Sequence, residues 1–289
     1  METTALPIAL GLIMFGLGLS LTTNDFARVA RHPKAVAIAL TCQVLILPLI
    51  CFGLVELFNL PPILAVGMML LAASPGGTTA NLYSHLFRGD VALNISLTAI
   101  NSVLSVFTLP IVVNLAINYF AAEGDRVGLQ FQKTLEVFAI VLVPVFLGML
   151  VRRWRPGFAL RMDKPVRIGS AVILAVVIVG AVLNNLELLR DNFASLAGIT
   201  SLFCILSLTI GYVVPRLFMV TEGESIATAF EVGIHNATLA IVVAQSVLLS
   251  TEMSLPAAIY GVLMFFIAAA FGFVIKRRAP AAEAVPVAG

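Results

Sequence analysis

The chain has 289 residues and a formal net charge of +2; 60% of its residues are hydrophobic and 11% are charged. A soluble domain would carry about a quarter charged residues, so this composition, with a mean hydropathy of +1.06, excludes an ordinary water-soluble fold. The basic residues are spread over loops and form no patch, which argues against a nucleic-acid partner.

Long apolar runs predict that the chain crosses a lipid bilayer nine times. A hydrocarbon core of roughly 30 Å needs about 20 helical residues, and almost no sequence is left for an extramembrane domain. We therefore predict an all-α polytopic membrane protein with one transporter domain over residues 1–278 and a disordered C-terminal tail over 279–289. The expected spans are about 5–22, 34–56, 61–86, 90–119, 131–151, 167–188, 194–218, 225–249 and 254–275.

The basic residues also predict the orientation of the protein. Of the 17 Lys and Arg residues, only Arg126, Lys133 and Arg190 fall on one side of the predicted spans. The positive-inside rule places the other side, with the C-terminus, in the cytoplasm and the N-terminus outside a plasma or inner membrane. The N-terminus lacks a positively charged segment, so we expect it to be the first span and not a cleaved signal peptide.

Amide and hydroxyl residues occur inside two of the apolar spans. Gln43 is a lone amide in the second span, and Asn94, Thr98, Asn101 and Ser105 share one helical face of the fourth. Interhelical hydrogen bonding explains such residues in membranes, and we favour it for Gln43, Asn101 and Ser105. For Asn94 and Thr98, which lie nearer the interruption described next, a binding role is an equal alternative.

The third predicted span is interrupted at its middle. Pro75, Gly76 and Gly77 fall about halfway along it, and a Thr-Thr-Ala-Asn stretch follows at once. Proline removes a backbone donor and clashes with the preceding turn, and glycine relaxes the backbone further. We expect a helix that is unwound at mid-membrane, with free carbonyl groups before the break and free amides after it.

The eighth predicted span carries polar residues at its centre: Glu231, Gly233, His235 and Asn236. A carboxylate at mid-bilayer costs about 2.5–3.5 kcal/mol on insertion scales, so it should face a partner or a cavity. No span offers a convincing central Lys or Arg for an ion pair. A bound cation or a proton is therefore the expected partner of Glu231.

Two interrupted helices in different halves of a chain are typical of secondary transporters built from inverted repeats. Spans 2–4 and 7–9 would be the two corresponding units, each with its broken helix in the middle. The sequence has no phosphate-binding P-loop and no H-E-x-x-H or G-x-S-x-G motif. It therefore indicates neither an enzyme nor an organic cofactor.

The sequence contains LIMFGLGLSLTTNDF followed by HPK, then Q-x(4)-P, SPGGTTAN, RGDVALN and EVGIHN, over about residues 7–240. Together these motifs resemble the bile acid:sodium symporter family. The resemblance implies sodium-coupled uptake of an organic anion, either bile-acid-like or a small carboxylate, by alternating access. It also implies a panel domain (about 5–22 and 131–188) and a core domain (about 34–119 and 194–275), in which the discontinuous helices 61–86 and 225–249 cross.

The resemblance assigns a first sodium site to Asn81, Asn94, Thr98 and Glu231. Each of these side chains offers an oxygen ligand. This sequence departs from the family at two places: Ala80 replaces a serine, which removes a hydroxyl, and Asn94 stands where a serine is usual.

A second sodium site is implied at Gln43, Glu231, the carbonyls of Val232 and Ile234, and the side chain of residue 235. Here His235 replaces the usual glutamine and offers nitrogen, a poor ligand for sodium that also titrates near neutral pH. We therefore expect one sodium ion. For the second position a weak sodium site, a proton site and a merely hydrogen-bonded histidine all remain open.

Thr78, Thr79 and Asn236 border the implied crossing on the side where relatives hold substrate. Relatives that take bile acids place a His-Asn pair near Met264 and Phe265, so the resemblance does not name the substrate. The alternatives are a proton-coupled or efflux carrier of the same superfamily and, in another class, a non-transporting membrane sensor or assembly subunit. The oligomeric state is also left open.

Overall fold

A computed structural model of the protein describes residues 11–120, except 13 and 17, and residues 131–278. The described part of the chain is helical and contains no β-strand. The first ten residues, which include the start of the first predicted span, and the predicted tail at 279–289 lie outside the described residues. Within segment 11–20, the described residues are helical.

Twelve α-helices follow that segment, and two of them continue into π-helical turns at Cys42–Ile46 and Val243–Val247. The helices are α1 Thr23–Arg28, α2 Pro33–Thr41, α3 Leu47–Leu57, α4 Pro62–Ala73, α5 Thr79–Leu86, α6 Val91–Phe120, α7 Phe131–Trp154, α8 Pro156–Asn184, α9 Leu186–Leu217, α10 Glu222–Gly233, α11 Ala237–Val242 and α12 Leu255–Arg278. Single 3-10 turns at Val29–Arg31 and Glu252–Ser254 complete the order.

Four helical stretches among the described residues are long and apolar enough to cross a membrane. They are Pro33–Leu57, Val91–Phe120, Leu186–Leu217 and Glu252–Lys276. Two shorter apolar helices, Pro62–Ala73 and Ala237–Val247, have the length expected for half of a span that is interrupted at its middle. These features are consistent with the membrane protein that the composition predicts.

The chain from α3 to α5 and the chain from α9 to α11 repeat one pattern of elements. Asn59 and Met219, 160 positions apart, both have left-handed φ angles of 47° and 59°. The next residue of each segment donates its N–H five residues back, from Leu60 to Val55 and from Val220 to Pro215. Because α4 and α10 then begin at matching positions and have 12 residues each, the two halves share one backbone design.

The apolar core surrounds α4. All residues from Leu64 to Ala73 are buried, so this helix is enclosed by other helices on every side. Glycine permits the closest approach: a Cβ atom on Gly67 would collide with the backbone carbonyl of Met253. The first half of the interrupted helix is therefore held rigidly up to the break.

Glycines also bring segment 11–20 against α7. A Cβ atom on Gly18 would collide with the backbone of Val145, and one on Gly148 would collide with the backbone of Phe15 and Gly18. Small residues allow such approaches between membrane helices. The glycine-rich segment is thus a packing surface for α7.

Candidate functional site

Both predicted helix interruptions are present, and they cross. Helix α4 ends at Ala73 before α5 begins at Thr79, and α10 ends at Gly233 before α11 begins at Ala237. Between them the Gly77 N–H donates to the Ile234 carbonyl at 2.7 Å, and the Asn236 N–H donates to the Pro75 carbonyl at 2.8 Å. Gly76 and His235 thus form an antiparallel bridge that joins the two breaks.

Gly76 is required at the crossing because the Glu231 side chain occupies the space beside its α-carbon. A Cβ atom at position 76 would collide with Oε1, Cδ and the carbonyl oxygen of Glu231. The φ angle of Gly76 is not left-handed, so the requirement is one of space. The first break therefore places its backbone directly against the buried carboxylate of the second.

Glu231 is fully buried, and its carboxylate is hydrogen-bonded to α6. The Thr98 hydroxyl donates to Oε2 at 2.6 Å, and the Asn101 amide donates to Oε1 at 3.0 Å. The described part of the chain forms no salt bridge to Glu231. Two neutral donors orient the carboxylate without neutralising it, which leaves it able to bind a cation.

Several amide oxygens near the crossing are buried but have no hydrogen-bond partner among the described residues. The Asn94 amide donates to the Ala227 carbonyl at 2.7 Å, which leaves its own Oδ1 unpaired. The same is true of the Oδ1 atoms of Asn81 and Asn101. Buried acceptors without donors are costly in a protein interior, and a hard cation that takes oxygen ligands would satisfy them.

Ala80 is fully buried in the first turn of α5, next to Asn81. The hydroxyl that the resemblance implies at this position is absent, so the first site draws its oxygen atoms from the remaining side chains.

The residues expected at the second site also reach the crossing. The Gln43 amide donates to the Ser74 carbonyl at 2.9 Å and leaves Oε1 unpaired. Val232 and Ile234 are buried beside Glu231, and the Ile234 carbonyl already accepts from Gly77. His235 is buried, and its Nε2 has no partner in the described part of the chain.

The three residues expected to contact substrate are more accessible than the buried set. Thr78 is exposed, and Thr79 and Asn236 are half-buried. The Asn236 Oδ1 accepts from the Leu239 N–H at 3.0 Å and so caps α11, which leaves the amide NH₂ to contact a ligand. The crossing therefore has a buried face rich in oxygen atoms and a more open face with hydroxyl and amide groups.

Two residues of this site were not assigned to it from the sequence. Asn101 makes the interhelical hydrogen bond predicted for it, but the acceptor is the Glu231 carboxylate itself. Tyr260 on α12 contacts His235 and the Gly233 carbonyl. The helical spacing from Asn94 and Thr98 was a signal for Asn101, whereas a lone tyrosine in an apolar span gave no comparable signal for Tyr260.

The sequence also matches a known protein family. Residues 7–192 match the model of the sodium bile acid symporter family. The chain belongs to this family. The match covers segment 11–20, the first interrupted helix and the α6 residues that bind Glu231, and α10 lies beyond it.

Individual relatives extend the similarity over almost the whole chain. The chain is 30% identical to the uncharacterized sodium-dependent transporter YocS of Bacillus subtilis, over 88% of this chain and 78% of that protein. It is 27% identical to the probable chloroplastic sodium/metabolite cotransporter BASS1 of Arabidopsis thaliana, over 94% and 67% of the two chains. It is 24% identical to the human ileal sodium/bile acid cotransporter, over 96% and 80%.

Proposed function

We propose that this protein is a secondary active transporter that couples sodium entry to the uptake of a small organic anion. The observation that carries the proposal is the buried Glu231 carboxylate, which is held by two neutral donors, together with the unpaired amide oxygens of residues near the crossing. Membership of the sodium bile acid symporter family, and similarity to relatives named as a sodium-dependent transporter and a sodium/metabolite cotransporter, support sodium as the coupling ion.

The first sodium ion is proposed to bind Asn81, Asn94, Thr98 and Glu231, with Asn101 holding the carboxylate in place. Sodium has weak geometric preferences, so a set of amide, hydroxyl and carboxylate oxygens suits it. The ion would supply the positive charge that the described part of the chain does not provide to Glu231.

A second cation position is proposed at Gln43, Glu231, His235 and the carbonyls of Val232 and Ile234. The imidazole nitrogen makes it a weaker sodium site than the first. Because an imidazole, unlike a glutamine side chain, has a ring nitrogen that can bind a proton, His235 is the observation that favours a proton-coupled carrier as the second candidate function.

The anionic substrate is proposed to bind at Thr78, Thr79 and Asn236. These residues lie where α5 and α11 begin, and free backbone amides at a helix N-terminus attract negative charge. A cation at Glu231 would strengthen this attraction and stiffen the crossing, so that sodium binding prepares the anion site.

The transport cycle is proposed to move a core domain against a panel domain in a nine-span molecule with its N-terminus outside the cell. The panel would contain residues 5–22 and 131–188, and the core residues 34–119 and 194–275. Support comes from the packing of Gly18 against Val145 and from the matching pattern of α3–α5 and α9–α11. Inverted repeats of this kind alternate access by moving one bundle against the other.

Uptake into proteoliposomes tests the proposal, with taurocholate and pyruvate as the two probe anions. We expect at least one of them to accumulate under an inward sodium gradient and not under a choline gradient. Uptake driven by a proton gradient and indifferent to sodium would establish the proton-coupled alternative. No uptake of either anion, together with no effect of Glu231→Gln on the cellular phenotype, would favour the sensor or assembly subunit.

A further inference from the structure

The imidazole of His235 is held in the crossing by contacts from two other helices. Its Nδ1 lies 3.0 Å from the Tyr260 hydroxyl on α12, and the ring centroids are 5.4 Å apart in an edge-on arrangement. Phe203 on α9 packs on the same imidazole, with 5.2 Å between the ring centroids. The ring therefore has a defined position before any ligand binds.

The hydrogen bonds of Tyr260 also define the tautomer of His235. The Tyr260 hydroxyl lies 2.8 Å from the Gly233 carbonyl, which can only accept a hydrogen bond. The same carbonyl accepts a longer contact from the Cys204 thiol at 3.7 Å, so the Tyr260 hydroxyl is its nearer donor. A hydroxyl has one proton to donate, and with that proton directed to the Gly233 carbonyl, the bond to His235 is donated by Nδ1–H. In the opposite tautomer, Tyr260 could keep only one of its hydrogen bonds to His235 and Gly233, and a buried N–H donor at Nε2 would be unpaired.

In the Nδ1–H tautomer, Nε2 carries a lone pair and is an acceptor. It is buried and unpaired among the described residues, as is Oε1 of Gln43. Both residues are attached to the same break, since Gln43 donates to the Ser74 carbonyl and His235 is bridged to Gly76. The first break is therefore contacted by two residues that each carry an unpaired acceptor, a neutral nitrogen on His235 and an amide oxygen on Gln43.

We propose that Tyr260 is a positioning residue for the second cation position, where it fixes His235 as the Nδ1–H tautomer so that Nε2 is a cation ligand. The proposal rests on the sodium-coupled function proposed above. Tyr260 contributes no atom to the ion. It acts through the imidazole, and together with the Cys204 thiol it also donates to the Gly233 carbonyl at the end of α10.

Magic-angle-spinning NMR of the ¹⁵N-histidine-labelled protein tests the tautomer without any transport assay. The chain has three histidines, and His235→Gln identifies the signals of residue 235 by their loss. We expect a protonated Nδ1 and an unprotonated Nε2 in the wild type, and a mixture of tautomers in Tyr260→Phe. An Nε2–H form in the wild type, or an unchanged spectrum in Tyr260→Phe, would overturn the proposal.

The sodium concentration that gives half-maximal thermal stabilisation tests the consequence for binding. The loss of one hydrogen bond predicts that Tyr260→Phe raises this concentration about three- to tenfold. In a His235→Gln background, where residue 235 has no tautomers, the same substitution should raise it less than about twofold. Tyr83→Phe is the matched control, since the Tyr83 hydroxyl also donates to a carbonyl, that of Phe265, at 2.7 Å. It should leave the value within about twofold of the wild type.

The two backgrounds separate the positioning role from a structural one. If Tyr260→Phe raises the half-maximal sodium concentration equally in the wild-type and His235→Gln backgrounds, only the hydrogen bond to the Gly233 carbonyl matters. That result would contradict the proposal. A wild type that does not respond to sodium at any concentration would instead refute the proposed function, while the NMR spectrum would still decide the tautomer.

Discussion

At the scale of single residues, the backbones of the two interrupted helices approach each other closely around Glu231. The carboxylate fills the space beside Gly76, whereas a Cβ atom on neighbouring Gly77 would lie 3.3 Å from the His235 carbonyl oxygen. The two glycines are adjacent in sequence but differ in their surroundings. They therefore make a matched pair of substitutions.

We expect Gly76→Ala to destabilise the protein by about 1–3 kcal/mol, because the new methyl group displaces the Glu231 side chain. The same displacement should weaken stabilisation by sodium. Melting temperatures of purified Gly76→Ala and Gly77→Ala, measured with and without sodium, check this. Equal effects of the two substitutions would contradict the role assigned to Gly76.

The residues of the first site could be predicted from sequence only where their chemistry is unusual for a membrane span. Glu231 is conspicuous because a carboxylate is costly in hydrocarbon, and Pro75 marks the break because it cannot continue a helix. Asn101 could not be separated from ordinary interhelical hydrogen bonding, because its role depends on the acceptor that it meets. The role of Tyr260 depends likewise on the Gly233 carbonyl, which is available to side chains only because α10 ends there.

At the scale of elements, the start of α10 is tied to the start of α2. Thr221 and Glu224 form reciprocal capping hydrogen bonds at the N-terminus of α10. Nδ1 of His32, which precedes α2, lies 2.7 Å from Oε1 of Glu224. Burial alone would raise the pKa of Glu224, but the hydrogen bonds from Thr221 and His32 outweigh it and hold this pKa below the ordinary value of 4.5.

This lowered pKa predicts a pH-dependent contribution to stability. A carboxylate whose pKa is lowered by folding stabilises the protein above its unfolded pKa, and the contribution disappears as pH falls through the folded pKa. The difference in melting temperature between wild type and Glu224→Gln should therefore be fully present at neutral pH and should shrink below about pH 4.5. Glu187→Gln, at an exposed position in the first turn of α9, is the control. A difference that does not change with pH would refute this account of Glu224.

The interruption of both helices and the correspondence of spans 2–4 with spans 7–9 were predicted from sequence, but the backbone features that the two halves share were not. Asn59 and Met219 share a left-handed conformation although their side chains have nothing in common. The likeness lies in backbone hydrogen bonds, from Leu60 to Val55 and from Val220 to Pro215. The repeat is visible only in the structure, because the two halves keep the same backbone geometry with different residues.

At the scale of the whole molecule, matching positions of the two halves should face opposite sides of the membrane. Glu56 and Arg216 are equivalent, since each accepts the N–H of the left-handed residue that follows, Asn59 or Met219. Both are exposed charged residues at helix ends. The distribution of basic residues predicts that Glu56 lies outside the cell and Arg216 in the cytoplasm.

We expect a membrane-impermeant maleimide to label Glu56→Cys in intact cells, and Arg216→Cys only after the membrane is permeabilised. The native Cys42, Cys51 and Cys204 are buried and free, so the unmodified protein should remain unlabelled and serves as the control. Labelling of both variants from outside would contradict the inverted arrangement of the two halves.

Binding of ²²Na⁺ to the purified protein tests the central claim most directly, because it needs no knowledge of the substrate. We expect saturable binding by the wild type and by Glu56→Gln, which alters an exposed carboxylate away from the crossing. Glu231→Gln should lose at least about tenfold in sodium affinity, since it removes the charged ligand. Wild-type affinity in Glu231→Gln would contradict the claim that this crossing is a sodium site.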